Sequence, residues 1–526
     1  MRTIGAAEQR VIEEAAARAG VPAGVLMERA GRALAERIMS LLAERGGGPV
    51  SILCGPGNNG GDGYAAARFL TGKIPELHLY EDDSAASAGA DAQANRAACR
   101  SLGIQVLGYA DFNLTSGIVL DAVYGSGFRA ERNPKPDFMA LSQRVQASRR
   151  QFSAYLLSAD IPSGVQADNG AVGAAAFQAD ETLCFILPKT GVWSYPGRKF
   201  AGLISVNDLG LGQSFIDQVW EDHQFRSPSV LTESEVRAWR PERAPDSHKG
   251  SFGRLAIMAG SVGLAGAAVL CARAAQMGGA GYVDLLVPQE IYPAVLAAVP
   301  SVLSQALPAD ANARLALWQA KLESCSAALV GPGLGKLASL DLVLAAIAGA
   351  PRLVLDADAL NLLALPENLK RGRAALLERG NHGLEPAVLT PHPGEFGRLC
   401  PEYAQTVNQD RIQSAEALAR MTGSVVVLKG AGTVVAFPEE DCKPEIWINS
   451  SGNAGMAKAS SGDVLAGLLA SFLAQKLPLR EAALSAVYLH GLSADLRANE
   501  LTERALTPED TLAGLPAAFR QVGWDR

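Results

Sequence analysis

No Gly-Lys-Ser or Gly-Lys-Thr tripeptide occurs in the 526 residues, which excludes a P-loop nucleoside triphosphatase. No Cys-x-x-Cys pair occurs either. The seven cysteines (Cys54, Cys99, Cys184, Cys271, Cys325, Cys400 and Cys442) are scattered and odd in number, as expected of isolated reduced core thiols rather than a disulfide frame or zinc site. Aromatics are scarce at 6%, and the net charge of −7 supplies no basic surface for nucleic acid or an anionic membrane. Residues Met1–Arg10 carry charges and no apolar stretch, so no secretory signal is expected and a cytoplasmic location is. The uncharged run Leu255–Ala272 contains Gly260, Ser261, Gly263 and Gly266 and reads as strand, glycine turn and helix start, not a membrane span.

What remains is a composition of 48% apolar and 19% charged residues with 54 glycines, suited to α/β layers in which glycine turns bring backbone close to a ligand. The length exceeds one hydrophobic core. Residues 6–45 read as two helices broken at Gly20–Pro22. Strands are expected at Val50–Cys54, Leu77–Tyr80, Ile118–Val123, Tyr155–Ser158, Thr182–Leu187 and Leu203–Val206. Short apolar runs between helical patterns indicate parallel strands covered on both faces. From about Gly212 to Pro245 the pattern turns polar and loses its strands, which reads as a linker and an entry helix. Strand–helix alternation restarts at Arg254–Met258 and continues through Tyr282–Val287, Ala327–Val330, Arg352–Leu355, Ala387–Leu389, Ser424–Leu428, Thr433–Phe437 and Glu445–Ile448. Helical segments follow at Asp463–Lys476 and Arg480–Ala498.

In the first half, Val50–Cys54 feeds Gly55-Pro56-Gly57-Asn58-Asn59-Gly60-Gly61-Asp62-Gly63 and a helix Tyr64–Leu70. Bare N–H groups at such a turn, backed by a helix dipole, suit an anion. Gly55, Gly57 and Gly60 satisfy G-x-G-x-x-G, which alone is weak evidence. Two further strand ends carry polar loops, Asp121 with Tyr124-Gly125-Ser126-Gly127-Phe128, and Asp160-Ile161-Pro162-Ser163-Gly164. In open α/β sheets ligands bind beyond the carboxyl ends of the strands. Together with Leu26–Gly31, these segments resemble the NAD(P)HX epimerase domain over roughly residues 1–215. The resemblance implies a potassium ion held by Asn59, Asp121 and Ser163. It implies dinucleotide contacts from Asn58, Asn59, Gly60, Gly61 and Asp62, and from Gly125, Ser126, Gly127, Phe128, Arg129, Ala130 and Glu131. Asp160 becomes a substrate-binding acid/base, with Lys189 completing a proton-transfer pair. A helix or turn cap is the plainer reading of Asp160, and a solvated lysine that of Lys189.

In the second half, Lys458-Ala459-Ser460-Ser461-Gly462-Asp463 opens an apolar helix. Asp463 is either an N-cap or a general base beside backbone donors suited to a phosphoryl group. Lys429-Gly430-Ala431-Gly432-Thr433, Gly331–Gly335, Asp356–Asn361 and Thr390-Pro391-His392-Pro393-Gly394-Glu395 all follow strands. This set resembles the ribokinase-like superfamily, and with His248–Gly253 and Ala259–Ser261 its ADP-dependent NAD(P)HX dehydratase branch, over about 230–525. The resemblance implies that Ala267, Gly333, His392 and Asp463 contact the hydrate, and that Lys429, Gly430, Ala431, Gly432, Thr433 and Gly462 contact the adenine nucleotide. That family usually has glycine where Ser460 stands.

The expectation is therefore a Rossmann-like α/β/α epimerase domain at 1–215, a linker at 216–229 and a ribokinase-like α/β/α dehydratase domain at 230–526. Its substrates would be NADHX, NADPHX and ADP or ATP, with K⁺ in the first domain and Mg²⁺ in the second. Association into a homo-oligomer, and no nucleic-acid or membrane partner, complete the reading. The alternatives are a ribokinase-like kinase of a vitamin precursor, a first domain that only binds nucleotide, and a nicotinamide dehydrogenase.

Overall fold

A computed structural model describes residues 1–85, 89–113, 115–132, 134–337, 339–438 and 445–525; Cys442 lies outside them. Residues 2–228 and 229–526 form two compact units. In the first, β1 (Val50–Cys54), β2 (Leu77–Glu81), β3 (Val106–Gly108), β4 (Ile118–Ala122), β5 (Tyr155–Ala159), β6 (Glu181–Phe185) and β7 (Leu203–Asn207) form one parallel sheet in the order β3-β2-β1-β4-β5-β6-β7. Strand side chains alternate between faces. Val50, Ile52 and Cys54 therefore enter one core with Leu34, Ile38 and Tyr64, while Leu53 enters the other with Tyr80 and Phe138. Both faces are covered by helices, as parallel sheets require.

The second unit holds β8 (Ser229–Leu231), β9 (Arg254–Met258), β10 (Tyr282–Pro288), β11 (Leu303–Leu307), β12 (Ala327–Val330), β13 (Leu353–Leu355), β14 (Val388–Leu389), β15 (Val425–Leu428), β16 (Val434–Ala436) and β17 (Ile446–Asn449). They form one sheet in the order β11-β10-β9-β12-β13-β14-β15-β16-β17-β8, in which β16 runs antiparallel to both neighbours. Leu255 and Ile257 face one core, Ala256 and Met258 the other.

Two expectations are corrected. The segment 212–245 is not strandless, because β8 pairs in parallel with β17, Val230 opposite Ile448. Nor is 216–229 a bare linker. A helix spans Gln213–His223 and buries Ile216 and Val219 in the first unit's core, its apolar residues recurring at helical spacing. Leu255–Ala272 forms strand, turn and the start of the helix Ala265–Met277, and no helix among the described residues is long and apolar enough to cross a membrane.

Candidate active sites

In the first sheet the strand order reverses between β1 and β4, so the loops leaving those strands diverge and open a crevice. A cavity of about 630 Å³ lies there, within the size range of ligand pockets. The helix after β1 begins at Asn58, six residues earlier than the sequence pattern indicates, and places Asn58, Asn59, Gly60, Gly61 and Asp62 in its first two turns. The three glycines inside this helix, Gly60, Gly61 and Gly63, are unfavourable by propensity. Gly60 is required by closeness, since a Cβ there would stand 2.0 Å from the Gly55 carbonyl oxygen. Gly57, Asn58, Asn59 and Asp62 reach the cavity wall, so the unpaired N–H groups of this helix face its space.

Gly125, Ser126, Gly127, Phe128 and Arg129 line the cavity too, with the Phe128 ring stacked on Tyr124. Ala130 and Glu131 do not line it; the Ala130 N–H is donated to Gln166 Oε1 at 3.1 Å and Glu131 is exposed. Asp121 is fully buried. Its carboxylate accepts from the Ser163 amide at 2.8 Å, the Ser163 hydroxyl at 2.5 Å, the Ser158 hydroxyl at 2.9 Å and the Val123 amide at 3.2 Å. Burial pushes it up to about 6, against the pull of these donors. Asn59 is buried, and one end of its amide, Nδ2, has no partner among the described residues. A buried carboxylate, hydroxyl and amide, with no cation paired to the carboxylate among the described residues, are a donor set that fits a hard cation.

Asp160 has left-handed backbone (φ 66°), rare for a residue with a side chain. It is buried, lines the cavity, and its Oδ1 accepts from the Phe185 amide at 3.1 Å and from Lys189 Nζ. It caps no helix. Lys189 is completely buried, donating also to the Phe185 and Leu187 carbonyls at 2.8 and 3.3 Å, which rules out a solvated lysine. Asp160 Oδ2 has no protein donor among the described residues. Sequence reasoning missed Gln9 and Glu13, which line the same cavity from the helix Ala6–Arg18.

In the second sheet the reversal falls between β9 and β12, and the loops after β9, β12, β13, β14 and β15 leave one edge. Gly333 and Ala267 adjoin, a Cβ on the glycine falling 2.9 Å from that of Ala267. Lys429 Nζ stands 2.6 Å from Asp356 Oδ1, which also accepts from the Thr390 hydroxyl at 2.6 Å, and 3.9 Å from Glu395 Oε2. A Cβ on Gly462 would lie 3.1 Å from the same Nζ. Thr433 donates to the Gly430 carbonyl at 2.9 Å, closing a loop in which Gly430 and Ala431 are exposed and Gly432 turns with φ 57°.

The cap of the helix Ser461–Ala474 is Ser460, so Asp463 lies in the first turn with its carboxyl free of capping. It is buried and pushed up to about 6, chiefly by desolvation and then by the charge of Asp356; the Ser460 hydroxyl and Lys429 pull the other way. His392 caps its own helix. Its Nδ1 accepts from the Gly394 and Glu395 amides at 2.9 and 3.3 Å, and its Nε2 stands 3.5 Å from Glu395 Oε1. Asp356 and Glu395 stood in the sequence motifs without a role. No group of three His, Cys, Asp or Glu among the described residues can cage a metal alone, but Mg²⁺ bound through nucleotide phosphates needs only one or two carboxylates, and Asp356, Glu395 and Asp463 offer them.

Comparison with known proteins follows the same division. A family model described as NAD(P)H-hydrate dehydratase matches residues 255–516, and one described as YjeF-related protein N-terminus matches residues 23–191. A solved ADP/ATP-dependent NAD(P)H-hydrate dehydratase from Bacillus subtilis, co-crystallised with ATP/Mg²⁺, covers 56% of this chain and 99% of its own at 29% identity and a TM-score of 0.47. The bifunctional NAD(P)H-hydrate repair enzyme of Escherichia coli K12 is 32% identical over 88% of this chain and 84% of its own. That of Coxiella burnetii is 32% identical over 95% and 96%. That of Moorella thermoacetica is 34% identical over 95% of this chain and 93% of its own, and on this full-length likeness the chain belongs to the family of bifunctional NAD(P)H-hydrate repair enzymes.

Proposed function

We propose that the first unit interconverts the two epimers of hydrated NADH and NADPH, and that the second dehydrates one of them using ADP or ATP. The observation that carries the first half is the fully buried Lys189 holding Asp160 at the cavity wall. A lysine with no exposure holds the aspartate in one position as a proton acceptor. Asn59, Asp121 and Ser163 hold potassium, whose charge balances the buried carboxylate. The helix N-terminus at Asn58–Asp62 and the Gly125–Arg129 turn seat the dinucleotide.

In the second unit the hydrate's hydroxyl is a poor leaving group until phosphorylated. Asp463 takes the hydroxyl proton as the phosphoryl group arrives, Lys429 and the N–H groups at Gly462 face the transferring oxygens, and the ring nitrogen's electron pair then expels phosphate. Mg²⁺ bound with the nucleotide supplies further neutralisation of phosphoryl charge. Ala267, Gly333 and His392 Nε2 receive the hydrate, and Gly430–Thr433 the nucleotide. The division of labour follows residues 1–215 and 230–526. We place the protein in the cytoplasm as a homo-oligomer.

The test mixes the full chain with both epimers of hydrated NADH, K⁺, Mg²⁺ and ADP or ATP, and follows the near-ultraviolet absorbance of reduced nicotinamide. Complete recovery with release of phosphate is expected. No recovery with either nucleotide, or a stable phosphorylated organic product, would overturn the reading in favour of a small-molecule kinase.

A further inference from the structure

The cavity of the first unit carries a carboxyl that the scheme above does not use. Glu13 lines its wall from the helix Ala6–Arg18, half-buried, on the same wall as Gln9 one turn earlier. Gln9 Nε2 donates to Glu13 Oε1 at 2.9 Å, while Gln9 Oε1 is buried with no partner among the described residues.

The charged groups around Glu13 are Arg10 on its own helix, Asp62 on the helix Asn58–Leu70, Asp160 after β5 and Lys189 after β6. Burial, then the charge of Asp160, push Glu13 above the usual carboxylate range; the Gln9 N–H, Lys189 and Arg10 pull against them. Asp62 is pushed up well above its range by the same burial, with Asp160 and Glu13 adding to it. Asp160 differs in having a buried ammonium of its own. One cavity thus holds a carboxylate fixed by a lysine and two further carboxyls, Glu13 and Asp62, that burial pushes toward the protonated form.

Resting on the epimerase reading, we infer that Glu13 is the general acid of epimerisation, working opposite Asp160 as the base. Asp160 takes the hydroxyl proton of the hydrate. The carbon–oxygen bond becomes a carbonyl as the bond from that carbon to the ring nitrogen breaks, its electron pair passing to the nitrogen, which takes the proton from Glu13. The carbonyl turns over and the nitrogen re-attacks its other face, Glu13 recovering its proton from nitrogen and Asp160 returning one to oxygen. Nothing is oxidised or reduced and no water is exchanged.

The test uses the full chain, one purified epimer of hydrated NADH and K⁺ without nucleotide, so that dehydration is silent and epimer exchange is read by NMR across pH. Wild type should lose rate at high pH as Glu13 gives up its proton. Glu13→Gln should lower kcat by about 10²–10⁴ with KM little changed, and abolish that alkaline limb. Glu13→Asp should keep part of the rate with the limb moved to lower pH. Wild-type exchange together with an unaltered rate and limb in Glu13→Gln overturns the acid assignment alone. Equal losses in both variants with the limb in place also overturn it, making Glu13 a packing residue. No exchange by wild type overturns the epimerase reading itself.

Discussion

Ser460 occupies left-handed backbone, with φ 70° and ψ −2°, at the cap of the helix that carries Asp463. A side chain in that region costs roughly 1–2 kcal/mol, which glycine avoids. Ser460→Gly should therefore stabilise the second unit by about 1 kcal/mol, seen as a higher urea midpoint. It also removes the hydroxyl that pulls Asp463 down. A base must be ionised to accept a proton, so dehydration in wild type should fall as pH drops through about 6, and in Ser460→Gly that fall should begin at higher pH. An unmoved limb would deny the hydroxyl its influence on the carboxyl. Asp121 supplies the second pH test. Its folded value, about 6, lies above the ordinary value near 4, so folding favours the protonated form. That contribution is complete below about pH 4 and lost as pH rises through 6. A potassium ion that balances the ionised form should then raise the melting temperature more at pH 8 than at pH 5; equal gains would place the ion elsewhere. The strain at Ser460 was half-legible, since its family position is glycine. The place of Glu13 was not, because a lone glutamate on an amphipathic helix gives no sign that its turn faces a cavity.

The strands that sequence reasoning missed are β3, β8 and β11, three of the four strands at the sheet edges. β11 reads Leu-Ser-Gln-Ala-Leu with only its last residue buried, and β3 and β8 have three residues each. An edge strand lacks the continuous apolar run that burial on both faces imposes, so nothing marks it against a polar loop. Central strands such as β1 and β4, buried throughout, were readable nearly to the residue. The helix Asn58–Leu70 was legible only in its second half, because Gly60 and Gly61 depress helix propensity where closeness to other chain segments demands them. They should answer differently to alanine. At Gly60 the new Cβ meets backbone at 2.0 Å, and overpacking of this kind costs about 1–3 kcal/mol, so Gly60→Ala should lower the first unit's melting temperature and weaken hydrate binding. At Gly61 the nearest atoms, at 2.6 Å, end the Met27 side chain, which can swing aside, and alanine returns about 1 kcal/mol of helix propensity. Calorimetry on both variants checks the contrast; equal losses would mean that Met27 cannot yield.

Across the whole molecule, each unit carries its polar motifs beyond the carboxyl ends of its parallel strands, at and beside the point where its strand order reverses. The two chemistries share no residue, so they should separate cleanly. With both epimers supplied, Asp160→Asn should restore absorbance promptly from one epimer only, the other following at its spontaneous exchange rate. Asp463→Asn should restore none while still exchanging epimers by NMR. Loss of both activities in either single variant would mean that one unit depends on the other's acid. The motifs at these reversals were readable because a ligand-facing loop concentrates glycine and polar residues. The partners that tune them were not: Asp356 lies over a hundred residues from Asp463, and Gln9 and Glu13, one turn apart on a single amphipathic helix, carry no mark that their face borders a cavity.

The attachment of Asp160 also bears on how a mirror-like exchange is carried out. Its backbone is committed to an unusual turn, one carboxylate oxygen is tied to an amide and a buried ammonium, and only the other is left for work. Such a group addresses the hydrate from a single side and cannot follow it. Under the proposed scheme the rotor of the epimerase is consequently the substrate, pivoting against a stationary stator, and the empty volume of the cavity is its swing room.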